Sequence, residues 1–187
     1  MIAPEPIFEP RGTPLSVVGR CKALSDKGHD VELLTYHIGE DVVFSGLTLN
    51  RIMKVPGINS IKIGPSFKKI PLDLLLMLKT FSRLLTAKYD YIHTHEEAGF
   101  WGTLFAGIFR TPHLYDMHSS LPQQLSNFEF TNSRFLTWIF EKLEKWVLKN
   151  SVSVITICPD LYDHVERVCP EKGSVLIENV IDYGMIF

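Results

Sequence analysis

Three short segments of this chain hold residue types that can bind or transform a polar substrate. They are Gly12-Thr13, His93-Thr94-His95-Glu96-Glu97, and Asp116-Met117-His118-Ser119-Ser120. Gly12 stands before a helix-forming stretch, so backbone N–H groups and a positive helix end there favour an anion such as a phosphate. Thr13 suits the N-cap of that helix, and Pro14 suits its first turn. His118 opens a polar loop, where an imidazole can hydrogen-bond a sugar or a phosphate, or simply brace the loop. His93 and His95 could form a metal pair, with Asp116 and His118 as further ligands. Residues two apart on a strand share one face, however, and a parallel sheet covers both faces with helices. The reading is therefore a packed, hydrogen-bonded His93 and no bound metal.

Other chemistries are excluded by what surrounds these segments. No G-x-G-x-x-G follows the first strand, so the dinucleotide fingerprint is missing, and Ser119-Ser120 do not sit in a G-x-S-x-G elbow. Cys21, Cys158 and Cys169 are odd in number and lack metal spacing, which points to a reduced, cytosolic setting. Neither a signal peptide nor a membrane-span-length apolar run is visible. The 187 residues, 45% hydrophobic and 21% charged, suit one globular domain.

The net charge of −2 is unevenly spread. Residues 51–88 hold Arg51, Lys54, Lys62, Lys68, Lys69, Lys79, Arg83 and Lys88 against the single acid Asp73. Such a local excess is either a solvated face or a surface for an anionic neighbour such as lipid. The Leu-rich stretch from Leu72 to Leu78 is apolar almost all round, and the favoured expectation is a buried helix behind a solvated basic loop.

Positioning these residues requires alternating strands and helices. Leu15, Val18 and Cys21 recur at helical spacing, with Gly28 as a stop. Strands are expected at Val31–Tyr36, Leu47–Val55, Asp90–Thr94, His113–Met117, Ser153–Ile157 and Ser174–Ile177. Between them fall a helix from Pro71 to about Thr86, a small-residue helix over Ala98–Arg110, an amphipathic helix striped by Leu136, Ile139, Phe140, Leu143, Trp146 and Val147, and one begun by Pro159. This pattern predicts an α/β, Rossmann-like three-layer domain with a central, mainly parallel sheet and helices on both faces. In such folds sites lie at the carboxyl ends of the strands, so the three segments should converge on one rim. The first strand has only Met1 to Ala3, short for a central position, and the chain stops five residues after Asp182. The expectation is a single domain over 1–187, excised from a larger protein.

Five motifs in order carry a family resemblance: Gly12-Thr13, Lys27-Gly28-His29-Asp30-Val31, Asp90-Tyr91-Ile92-His93-Thr94-His95, Tyr115-Asp116-Met117-His118, and Ile177-Glu178-Asn179-Val180-Ile181-Asp182. Together they resemble the N-terminal domain of group-1 (family 4) retaining glycosyltransferases with the GT-B fold. Leu121-Pro122-Gln123-Gln124-Leu125 resembles a bacterial subgroup. The chain departs from the pattern where Gly-Thr replaces the common Gly-Gly, and where Cys158 stands at a frequent serine.

The resemblance implies an acceptor-side domain facing a C-terminal donor-binding domain that is absent from this chain. It assigns the catalytic contact to His118, near the reacting carbon of the transferred sugar. The donor diphosphate falls to Gly12 and Thr13, and the acceptor or cleft rim to Arg11, His95, Glu96, Glu97, Ser119 and Ser120. Implied partners are a nucleotide-sugar donor, bound mostly by the absent domain, and a glycan or lipid-linked acceptor. No cofactor, metal or nucleic acid is expected, and the location is cytoplasmic, with peripheral membrane contact through residues 51–88 as an option. Two alternatives remain: a nucleotide-sugar 2-epimerase of the same architecture, for which Glu96 and Glu97 are the adjacent acid pair, and a non-catalytic binding or scaffold domain. The fragment alone is expected to be inactive.

Overall fold

Short β-branched and leucine-rich runs, separated by helices, order themselves here into one sheet. The computed structural model describes residues 1–8, 12–61, 66–120, 122 and 134–179. Its strands are β1 (Ile2–Ala3), β2 (Val31–Thr35), β3 (Leu47–Arg51), β4 (Ile92–His95), β5 (His113–Met117), β6 (Ser153–Thr156) and β7 (Ser174–Leu176). The helices are α1 (Gly12–Asp26), α2 (Lys69–Thr86), α3 (Ala98–Phe109), α4 (Arg134–Asn150) and α5 (Pro159–Val168). The strand order is β3-β2-β1-β4-β5-β6-β7 and every pairing is parallel. The order reverses direction between β1 and β4, which is where such sheets open a crevice for ligands.

Side-chain alternation assigns the two faces. Ile2 and Leu34 pack with α2 and α3, whereas their neighbours Ala3 and Leu33 pack with Val17, Val18 and Cys21 of α1. Along the rest of the sheet Tyr115 and Val154 meet Val147 and Leu148 of α4 and Leu161 and Val165 of α5. Helices on both faces are thus observed.

Several boundaries move. α1 includes Gly12 and Thr13, so Thr13 lies inside the helix rather than at its cap; Arg11 lies outside the described residues. α2 begins two residues before Pro71, which still sits in the first turn, where its missing N–H costs nothing. β1 is only two residues long and yet central, flanked by β2 and β4. Its short ladder is extended by the Met1 amino group, which donates to the Glu32 carbonyl at 2.6 Å. Gly28, at φ +86°, closes α1 as the pattern suggested.

Two devices hold α3 and α4 onto the sheet. Gly99 and Gly102 let α3 press down: a Cβ on Gly99 would stand 2.7 Å from Tyr115 Cε2, and one on Gly102 closer still to Thr94 Cγ2. His113 lies within hydrogen-bond reach of Thr94 Oγ1 (2.7 Å), Thr103 Oγ1 (3.2 Å) and Ser151 Oγ (3.2 Å), joining β4, α3 and the end of α4. Burial pulls its pKa down to about 4, so it is a neutral rivet at physiological pH.

Gly102→Ala should destabilise the domain by about 1–3 kcal/mol, the usual cost of an overpacked contact. Denaturant unfolding checks this, and an unchanged midpoint would mean that α3 has slack against the sheet.

Candidate functional site

Register decides which residues meet. His95 of β4 pairs with Asp116 of β5, which puts His93, His95 and Asp116 on the sheet face covered by α1. A face expected to be apolar thus carries a carboxylate that is 0% exposed. Leaving such a charge alone would be prohibitive. α1 answers it with Arg20, whose Nε and Nη2 address the two Asp116 oxygens, the latter at 3.3 Å.

The histidines complete the cage. His93 Nε2 lies 3.3 Å and His95 Nδ1 3.7 Å from Asp116 Oδ2, and His118 Nε2 lies 3.2 Å from Oδ1. The rings of His93 and His95 stack 5.0 Å apart at 12°. His95 Nδ1 is also 3.2 Å from His118 Nε2. Burial alone would raise the Asp116 pKa, but His95, His118 and His93 outweigh it and hold the carboxyl well below its usual range. Burial lowers the pKa of His93 and takes that of His95 well below the ordinary value, Asp116 offsetting only part of it.

His93, His95 and Asp116 offer ligand atoms within 4.8 Å of one another, close enough for a metal ion. Arg20 already contacts both carboxylate oxygens from above, so an ion there would face a fixed guanidinium. The donor set fits an ion pair capped by neutral imidazoles better than a metal.

On the rim beyond this cage, His118 is almost enclosed, and among the described residues neither its Nδ1 nor Ser120 Oγ has a partner. Ser119 Oγ donates to Glu96 Oε2 at 2.7 Å. Glu96 itself takes a left-handed backbone (φ +48°), uncommon for a non-glycine and often seen at functional sites. Glu97 pairs with Lys69 of α2. His95, expected on the rim, is instead fully buried beneath it, in contact with His118. Glu96 and Glu97, the pair an epimerase would need free, are engaged by Ser119 and Lys69 respectively.

Gly12 and Thr13 share no hydrogen bond or ion pair with this cluster among the described residues; α1 reaches it through Arg20. A Cβ on Gly12 would meet nothing within 4 Å and its φ is not positive, so no neighbouring side chain demands glycine there. Behind β7, Arg20 donates to the Ile177 carbonyl (3.3 Å), and Ser16 Oγ donates to Asn179 Oδ1 (2.6 Å). Leu121, residues 123–125 and the motif end Val180–Asp182 lie outside the described residues.

Sequence reasoning missed a second group on the rim. Glu5, just after β1, has a buried Oε1 without a partner among the described residues, and burial, aided by the charge of Glu96, pushes its pKa well up. Tyr36, just after β2, hydrogen-bonds Asp73 of α2. Burial, then the charge of Glu97, raises Asp73 to about 7 and raises Glu96 as well. The spacing Glu5 to Ala3, a carboxylate two residues past a central strand, was the available signal.

The sequence model described as Glycosyltransferase Family 4 matches residues 11–184. The chain belongs to that family. No curated protein sequence matches it. Among solved structures it is similar to sucrose-phosphate synthase from Thermosynechococcus elongatus, at TM-score 0.63 and 18% identity over 95% of this chain. It spans 47% of that enzyme's length. It is similar also to UGT73P12 of Glycyrrhiza uralensis, complexed with glycyrrhetinic acid 3-O-monoglucuronide (TM-score 0.59, 15% identity, 94% of this chain, 47% of that one). UGT2 of Phytolacca americana, complexed with UDP-2fluoro-glucose and pterostilbene, is a third (TM-score 0.57, 13% identity, 98% and 53%). These likenesses establish a GT-B-type, Rossmann-like fold for this family member.

Asp116→Asn should destabilise the domain by about 3–5 kcal/mol, because it leaves Arg20 buried without its counter-charge; equilibrium unfolding reads this, and Asp116→Asn with Arg20→Met should recover part of it. A second expectation concerns pH. Asp73 titrates at about 7 folded against an ordinary 3.8, so its protonated form adds stability that is complete below about pH 4 and lost as pH rises through about 7. The melting temperature of Asp73→Asn minus that of the parent should therefore climb between about pH 4 and 7 and level off above. A flat difference would show that Asp73 is solvated.

Proposed function

We propose that this family 4 chain is the acceptor-side half of a retaining glycosyltransferase that moves a sugar from a nucleotide-sugar to a glycan or lipid-linked acceptor. The supporting observation is His118. Its Nε2 is fixed by Asp116 and His95, so Nδ1, buried and without a partner among the described residues, is the ring nitrogen left to bond a ligand that enters the rim. A histidine so held can hydrogen-bond the transferred sugar beside the carbon where positive charge develops.

Gly12 and Thr13 then face the donor diphosphate. The open space over Gly12 is what close approach of a phosphate to the α1 amino end requires. Ser119, Ser120, Glu96 and Glu97 border the acceptor, and Glu5 joins them as a carboxyl group able to donate to or accept from a hydroxyl. The leaving diphosphate is neutralised by helix ends and basic side chains without a metal. The remainder of the donor site belongs to a second domain, in keeping with the 47% of sucrose-phosphate synthase that this chain spans. The 187 residues by themselves are therefore inactive, and the complete enzyme works in the cytoplasm.

The tests use the full-length protein. His118→Ala should lower kcat by about 10²-fold or more, equivalent to roughly 2.7–4 kcal/mol of transition-state stabilisation; the fold stays intact, with a stability loss of about 1–3 kcal/mol because buried Asp116 loses one partner. Gly12→Val should impair turnover more than Thr13→Ala, while leaving folding intact. Near-normal turnover of His118→Ala reduces the histidine to a structural brace, and loss of activity on chelation with EDTA overturns the metal-free reading.

A further inference from the structure

The basic segment is not what its composition suggested. Four of its eight cations are used within the fold. Arg51 donates to the carbonyls of Ile7 (2.9 Å), Tyr36 (3.1 Å) and Ile38 (2.7 Å), Lys79 to that of Arg51, Arg83 pairs with Glu32 at 2.8 Å, and Lys69 with Glu97. Lys54, Lys68 and Lys88 stay exposed, and Lys62 lies outside the described residues.

Nor is α2 a buried helix. Leu72, Leu76 and Thr80 face the core, whereas Ile70, Leu74, Leu78, Phe81 and Leu85 are 37–64% exposed. At 100° per residue those five fall within an arc of about 80° and run about 22 Å along the helix. Phe67, 74% exposed, precedes them. Phe81 leans on Phe105 and Phe109 of α3, which adds exposed Leu104 and Ile108 and contains no charged residue. A contiguous apolar surface of this kind marks a place of contact.

We propose that this α2 stripe lies in the interface of an anionic lipid bilayer. Charge complementarity selects that occupant. The stripe is flanked at its two ends by exposed Lys68 and Lys88, and the lone acid of residues 66–89, Asp73, is turned to Tyr36. Apolar residues in one arc, a lysine at each end and no acid within the arc form the pattern of a helix lying in the headgroup plane; exposed Asp90 lies beyond the helix, two residues after Lys88. No helix among the described residues is long and apolar enough to cross a membrane, so contact would be peripheral. The first turn of α2 also supplies Lys69 to the rim, so a helix lying on the bilayer holds the rim beside it, within reach of a lipid-borne acceptor.

The test is flotation of the full-length protein with vesicles of phosphatidylcholine alone and of phosphatidylcholine mixed with phosphatidylglycerol. No sugar donor is present, so the outcome is independent of the transferase reading. The parent should bind the anionic vesicles. Leu74→Gln with Leu78→Gln should weaken binding by about tenfold or more while circular dichroism and melting stay unchanged; Ile70→Gln with Leu85→Gln is a second pair at exposed sites. High salt should weaken binding only in part. Absence of vesicle binding overturns the proposal, as does binding that the glutamines leave untouched. A parent dimer that the glutamines dissociate, without vesicle binding, identifies a second copy of the chain as the occupant instead.

Discussion

One buried charge organises this domain. Asp116 sits on a sheet face with no exposure, and a carboxylate in that position must be matched or protonated. Its match comes from a helix that precedes it by some ninety residues, through Arg20, and from three imidazoles, two on β4 and His118 just past β5. Because Arg20 also reaches the Ile177 carbonyl, the same guanidinium ties α1 to the segment leaving β7. The register of β4 against β5, the seating of α1 and the path after the last strand are thus coupled to one ion pair.

That arrangement has a consequence at the rim. With Nε2 engaged by Asp116 and His95, His118 cannot swing freely, and its other nitrogen is held in a near-dry setting where a hydrogen bond to a ligand counts for more than in water. The adjacent acids behave differently. Burial raises Glu5, Glu96 and Asp73, helped by the charge of Glu96 on Glu5 and of Glu97 on Glu96 and Asp73, which favours their protonated forms. A rim that combines an immobilised imidazole with carboxyl groups able to donate as well as accept is suited to hydroxyl-rich ligands.

α2 serves two surfaces at once. Its inner face seals the sheet with Leu72 and Leu76, and its first turn lends Lys69 and Asp73 to the rim. Its outer face leaves a row of large apolar side chains in solvent, which folding of this domain alone gives no reason to keep.

The order of elements, the parallel sheet, the two-faced covering and the close fit of the Gly99–Gly102 helix were legible in the sequence, because periodicity and glycine placement report which face an element buries. The i, i+2 spacing of His93 with His95 likewise announced a shared face. The tertiary structure alone decided that β1, with two residues, is central, that His95 lies under the rim instead of on it, and that Arg20 balances Asp116. It also decided that half of an apparent basic patch is spent on carbonyls and carboxylates inside the fold, and that a helix read as buried shows an apolar stripe to solvent. Local sequence fixes a side chain's face and charge, whereas its partner is set by strand register and helix seating, which depend on contacts between residues far apart in the chain.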